Sequence, residues 1–217
     1  MDPVGQDAVP SHETLVAQLR RSAVLPVLRS ATAADARSHV TTLAAAGLAT
    51  VELTTTTPGW EEALGAAVRE HPDLHIGLGT VRDPDDVRRA RDAGARFVVT
   101  PWPAPEVRAS AHRAGLPMVE GGFTPGELAA AAAGGVAKLF PAQVVGPAYL
   151  RAIRPVLPGA AVVPTGGIRL DDVPDWLAAG ALTVGVGADL VRALERDPSG
   201  AAARLAEIAE YFAGTTA

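Results

Sequence analysis

The sequence predicts an α/β protein, a (β/α)8 TIM barrel with an extra helix ahead of its first strand. Three observations carry this. Short β-branched apolar runs recur along the whole chain, Ala-rich amphipathic stretches lie between them, and most of those stretches end at glycine. Strands alternating with helices of about 10–15 residues imply parallel βαβ units. A chain of 217 residues holds the eight units that a closed barrel requires. A doubly wound open sheet would place a glycine-rich dinucleotide loop after its first strand, and the residues Pro26 to Asp35 contain no glycine.

Residues 11–21 read as the extra helix, and the first strand follows over 23–29 (AVLPVLR). Thr32 with Asp35 is a modest N-cap signal for the next helix, which ends in AAAG at 44–47. The second strand is TVEL (50–53) and the third HIGLGT (75–80). Asp83-Pro84 supplies an N-cap with proline at the first helical position, and that helix stops at DAG (92–94). The fourth strand, RFVVT (96–100), precedes a helix ending in RAG (113–115), and the fifth is LPMVE (116–120). Thr124-Pro125-Gly126-Glu127 is a capping box, AGG (133–135) closes that helix, and VAKLF (136–140) is the sixth strand. The seventh and eighth strands are AAVVPT (160–165) and, after AAG (178–180), LTVGV (182–186). Residues 11–213 thus form one domain without a linker, and residues 1–10 and 214–217 are expected to be mobile.

Composition excludes several functions. There is no cysteine, so no disulfide, thiolate nucleophile or Cys-ligated metal. The five histidines (12, 39, 71, 75, 112) show no metal-ligand spacing. A net charge of −5 and a pI near 5.5 do not suit a nucleic-acid surface. No apolar run is long enough to span a membrane, and MDPVGQDAVP lacks the pattern of a secretory leader, so a cytoplasmic location is expected.

Of the 19 basic residues only Lys138 is a lysine. Arginine replaces lysine wherever charge alone is needed. It cannot replace an amine that must attack a carbonyl, because guanidinium stays protonated. On the sixth strand Val136, Lys138 and Phe140 share a face. If Ala137 and Leu139 meet the helices, Lys138 points into the barrel, where an apolar setting favours a nucleophilic amine. The alternative is a lysine that snorkels to water at the strand end. Glu52 shares a face with Thr50 and Thr54 and can also point inward, either as a proton shuttle or as a buried ion-pair partner. Arg29 closes the first strand on the face of Leu25 and Val27. An inward arginine there suits a carboxylate or phosphate, and an outward one a surface salt bridge. Thr165-Gly166-Gly167 and Gly185-Val186-Gly187-Ala188-Asp189 follow the last two strands, where backbone N–H groups often cradle a phosphate.

The chain resembles the class I aldolases acting on 2-keto-3-deoxy-6-phosphogluconate, its galactonate isomer or 4-hydroxy-2-oxoglutarate. The resemblance spans about residues 14–195 and rests on Val51-Glu52-Leu53, Gly77-Leu78-Gly79-Thr80, Phe97 to Pro101, Lys138-Leu139-Phe140-Pro141-Ala142 with Gly146-Pro147, Pro164 to Ile168, and Val184 to Leu190. It implies a homotrimer, no cofactor and no metal. It implies that Lys138 forms a Schiff base with the substrate keto carbon and that Glu52 moves protons. The products would be pyruvate and glyceraldehyde 3-phosphate. Thr80 with an arginine would hold the pyruvate carboxylate, Thr100, Pro101, Phe140 and Thr165 would line the pocket, and Gly166, Gly167, Gly187 and Ala188 would take the phosphate.

The chain also departs from the family pattern. Thr56 stands where gluconate-type members have arginine, whereas Arg29 matches the galactonate type, so Arg29 is the expected carboxylate partner. Ala188 replaces a serine of the phosphate loop. Glu120 replaces a proline at the end of the fifth strand, beside the lysine strand, and Trp102 replaces a smaller residue. All three bear on which aldehyde is preferred and on its phosphate. The alternatives are an aldolase acting on unphosphorylated 4-hydroxy-2-oxoglutarate, a different phosphate-binding barrel enzyme, and a barrel that binds pyruvate without cleaving anything.

Overall fold

The computed structural model describes residues 12–216. Eight parallel strands form a single sheet in the order β7-β6-β5-β4-β3-β2-β1-β8. They are β1 (Val24–Leu28), β2 (Thr50–Thr54), β3 (His75–Gly79), β4 (Val98–Val99), β5 (Met118–Gly122), β6 (Val136–Leu139), β7 (Ala161–Pro164) and β8 (Val184–Val186). Between β7 and β8 the barrel closes through Leu182 N donating to Val162 O at 2.8 Å and a bridge between Thr165 and Gly185. Each predicted strand is present. The fourth keeps only two of its five expected residues in the ladder, although Arg96 N and Phe97 O still bond to the β3 backbone (2.8 and 3.0 Å). Pro117 on the β5 side has no N–H to give this strand, and Pro101 ends it.

The helices are α1 (His12–Arg20), α2 (Ala33–Ala45), α3 (Trp60–Glu70), α4 (Pro84–Asp92), α5 (Pro105–Ala114), α6 (Pro125–Ala133), α7 (Gly146–Ile153), α8 (Val173–Ala178), α9 (Ala188–Arg196) and α10 (Pro198–Thr216). The predicted caps form. Thr32 Oγ1 accepts from Asp35 N at 3.1 Å, Asp83 Oδ1 from Asp85 N at 2.8 Å, and Thr124 and Glu127 make the reciprocal capping box. Gly115 takes φ 68° after α5, the left-handed cap that releases the chain into β5. The expected mobile segment 1–10 lies outside the described residues. Of the tail 214–217, the backbone continues α10 to Thr216, and Ala217 lies outside them.

Strand alternation divides the apolar residues between two cores. Leu28, Leu53, Leu78, Ala137, Leu139, Val184 and Val186 face the helices, while Leu25, Phe97, Val99, Val119, Val136 and Val163 fill the barrel interior. Leu15 and Leu19 of α1 join the inner set, so the predicted extra helix packs against the barrel's interior core. The inner strand positions left over carry glycine or polar groups and form the candidate site.

Candidate active site

Lys138 sits on β6 with Val163 of β7 and Gly121 of β5 as its Cα partners, which puts it on the inward face. Glu52 on β2 pairs with Val27 and Gly77 and also faces inward. The two are 86 residues apart in sequence, yet Lys138 Nζ donates to Glu52 Oε1 at 3.4 Å, with side chains only 6% and 1% exposed. Space for this carboxylate comes from Gly79, where a Cβ would stand 1.7 Å from Glu52 Oε1. Glu52 Oε2 is buried with no hydrogen-bond partner. Burial raises the Glu52 carboxyl above the ordinary glutamate range, against the opposing pull of Lys138 and Arg29. The result is a lysine side chain and a carboxyl in contact in one dry, narrow space, an arrangement suited to imine chemistry.

Arg29 is exposed one residue beyond β1, close enough for its charge to be felt at Glu52. Thr80, just past β3, has φ 59°, an uncommon conformation for a β-branched residue. Its carbonyl accepts from Thr55 Oγ1 at 2.9 Å. Phe140 places its ring 5.8 Å from Lys138 Nζ, and Pro101 follows β4 half-buried. Thr100 lies in the same region, but its hydroxyl is already engaged: it donates to Trp102 O at 2.9 Å and accepts from Gly121 N at 3.2 Å. Thr165 is buried opposite Gly185 with its hydroxyl unpartnered.

The two glycine loops are brought together. Gly166 and Gly167 have φ values of 100° and 71°, and Gly187 caps α9 without any side-chain bond to its first N–H groups. Asp189 Oδ2 accepts from Leu170 N at 3.0 Å and so ties the first loop to α9. Sequence reasoning missed Asp189 as a tether. It also missed Gln143, whose side chain lies where a Cβ on Gly167 would be. Position next to the lysine motif was the only available signal for Gln143.

Glu120 lies on β5 beside the lysine strand, where the sequence placed it, but its side chain faces away from the amine. Its Cα partner is Ala137, an outward residue, and its carboxylate bonds Arg108 and the Ala104 N–H outside the barrel. Trp102, by contrast, is 51% exposed. Among the described residues no cluster of three or more His, Asp or Glu could hold a metal, and no helix is long and apolar enough to cross a membrane.

Comparison with known proteins gives a consistent result. The family described as KDPG and KHG aldolase matches residues 15–202. The 2-dehydro-3-deoxy-6-phosphogalactonate aldolase of Escherichia coli is 34% identical over 187 residues, covering 83% of this chain and 91% of that one. The 2-dehydro-3-deoxy-phosphogluconate aldolase of Pseudomonas aeruginosa is 38% identical over 162 residues, covering 73% and 74%. Among solved structures, the KDPG aldolase of Legionella pneumophila, described with pyruvate captured as a covalent carbinolamine, superposes with a TM-score of 0.76 at 29% identity, covering 89% of this chain and 95% of that one.

Proposed function

The chain belongs to the KDPG and KHG aldolase family of carbon–carbon lyases, and from that premise we propose that it cleaves a 2-keto-3-deoxy-6-phospho sugar acid to pyruvate and glyceraldehyde 3-phosphate through a Schiff base on Lys138. The observation that carries this reading is the buried contact between the one lysine of the chain and Glu52. The Lys138 amine attacks the C2 keto carbon, and Glu52 gives the proton with which the carbinolamine loses water to the iminium. Glu52 then takes the C4 hydroxyl proton. The C3–C4 bond breaks, its electron pair passes into the iminium to give an enamine, and the aldehyde leaves. Protonation at C3 and hydrolysis return the amine and release pyruvate. Arg29 and Thr80 hold the carboxylate at the pyruvate end. Thr100, Pro101, Phe140 and Thr165 enclose the chain of the substrate, and Gly166, Gly167, Gly187 and Ala188 receive the phosphate. A homotrimer goes with this reading, as does the cytoplasm, where a phosphorylated substrate is retained.

One observation favours a second substrate. Ala188 offers no hydroxyl, and the Asp189 carboxylate adds a negative charge to the first turn of α9. An unphosphorylated acid such as 4-hydroxy-2-oxoglutarate avoids that charge.

The test is incubation with pyruvate and borohydride. One reduced pyruvate unit should attach irreversibly, and with a single lysine the intact mass nearly assigns it, the α-amino group being the one competing amine. Lys138→Arg should not be labelled, because its guanidinium does not deprotonate to attack a carbonyl. Glu52→Gln should still trap slowly while turnover falls about 10²–10⁴-fold. Aldol cleavage that survives in Lys138→Arg would sink the Schiff-base mechanism. A panel of keto-deoxy acids then separates the two substrate readings.

A further inference from the structure

The segment joining β4 to α5, Thr100-Pro101-Trp102-Pro103-Ala104, runs directly into Pro105. Proline at every second position leaves Trp102 and Ala104 with the only backbone N–H groups between Thr100 and Glu106. The segment also opens a helix with no side-chain cap of its own, since Ala104 is the N-cap of α5. By composition it is poorly anchored.

Glu120 supplies the anchor. Its carboxylate is buried, and both of its oxygens are used. Oε2 accepts from Arg108 Nε at 2.8 Å, and Oε1 accepts from Arg108 Nη2 at 2.6 Å and from Ala104 N at 2.9 Å. The fork joins β5, α5 and the connecting segment, with a negative charge at the helix N-terminus where it is favoured. The other end of the segment is fixed through Thr100, whose N–H donates to Val119 O at 3.0 Å and whose hydroxyl bridges Gly121 N and Trp102 O. Between these points the segment presses on Gly121. A Cβ there would come within 2.2 Å of the Pro101 carbonyl carbon and 2.4 Å of Trp102 N. Gly121 is the Cα partner of Lys138. Pro101 and Trp102 therefore lie over the strand next to the amine, about one strand spacing, ~4.8 Å, from its own strand.

We propose that the Glu120–Arg108 pair is a positioning device that holds Pro101 and Trp102 as a fixed wall over Gly121, on the strand next to that of Lys138, setting the room left for the part of the substrate beyond its pyruvate end. This rests on the aldolase reading above. The Arg108 side chain is 49% exposed, so water screens its attraction to Glu120 and the pair adds little net stability. Geometry is what this pair supplies. It turns a proline-stiffened connection into a rigid side of the site, with the Pro101 carbonyl and the Trp102 N–H held against Gly121.

The test uses Arg108→Ala, Arg108→Lys and Glu120→Gln, each assayed for steady-state cleavage of the keto-deoxy acid panel and for borohydride trapping of pyruvate. In Arg108→Ala, KM for the full-length acid should rise about tenfold or more with a smaller change in kcat, since small misplacements of positioning groups are amplified in this way. Pyruvate occupies only the amine end, so it should be trapped at the wild-type rate. Arg108→Lys should restore part of the KM, because an ammonium cannot make the fork. Glu120→Gln, which keeps an acceptor for Ala104 N, should also fall between. A lower melting temperature with KM within twofold of wild type across the three variants would show that the pair is only structural and overturn the proposal. Should Arg108→Ala not fold, the same criterion applies to the two conservative variants. Wild-type protein that traps no pyruvate would overturn the aldolase reading itself, and the positioning role with it.

Discussion

Replacing Gly79 by alanine is the most direct way to separate Glu52 from Lys138 without touching either residue. A Cβ at position 79 would lie 1.7 Å from Glu52 Oε1, 2.4 Å from Cδ and 2.7 Å from Cγ. The backbone cannot withdraw, because Gly79 is the Cα partner of Thr54 on β2 and its carbonyl accepts from Thr55 N at 3.0 Å. The Glu52 side chain must move instead, and the 3.4 Å contact with Lys138 is lost. Parting a buried charge pair costs about 3–5 kcal/mol, which is about 6–20 °C in Tm for a chain of this size. A carboxyl displaced from the reacting atoms should also lower kcat about 10²–10⁴-fold. The assay is thermal unfolding alongside continuous measurement of pyruvate release. Gly126→Ala is the matched control: nothing lies within 4 Å of its Cβ, and in α6 it should be neutral or gain up to ~1 kcal/mol. Wild-type activity and Tm in Gly79→Ala would show that the glutamate does not need the place β3 leaves for it.

Arg29→Ala should cost about 1.5–3 kcal/mol in kcat/KM, as expected for a charged hydrogen bond to the pyruvate-end carboxylate. Arg29 also pulls the Glu52 carboxyl down against burial, so the same variant should move the acidic limb of the pH profile to higher pH. An unshifted limb would remove Arg29 from the site. Ala188→Ser returns a hydroxyl to the α9 loop. It should improve kcat/KM severalfold on a phosphorylated substrate, for about 0.5–1.5 kcal/mol, and leave an unphosphorylated one unchanged; equal effects on both would take the phosphate away from that loop. His75 stacks on Phe97 at 5.6 Å, and burial, followed by Arg96, lowers its pKa from 6.5 to about 4. As pH falls through that window the unfolded chain takes up the proton first, so the folded state loses stability. His75→Phe should flatten the fall, as read from Tm measured across that range.

The local structure was largely legible in the sequence. The Thr32, Asp83 and Thr124 caps need only partners within three residues, and strand alternation needs only the next neighbour, so the elements and the inward face of Lys138 followed from short-range rules. The uniqueness of Lys138 is a property of composition alone. Tertiary structure decided whatever depends on register between strands. Glu120 is one residue away from Gly121, the partner of Lys138, and that single step reverses its side chain from the barrel interior to α5. The contact between Lys138 and Glu52 needed four intervening strand registers and the missing Cβ of Gly79. Thr100 shows the same limit: its place after β4 is written in the sequence, but its hydroxyl is taken up by Gly121 and Trp102 only because a proline-rich segment folds back over a glycine on the next strand. Caps and alternation are settled by neighbours along the chain, whereas these three features are settled by neighbours across the sheet, and only the closed barrel brings those together.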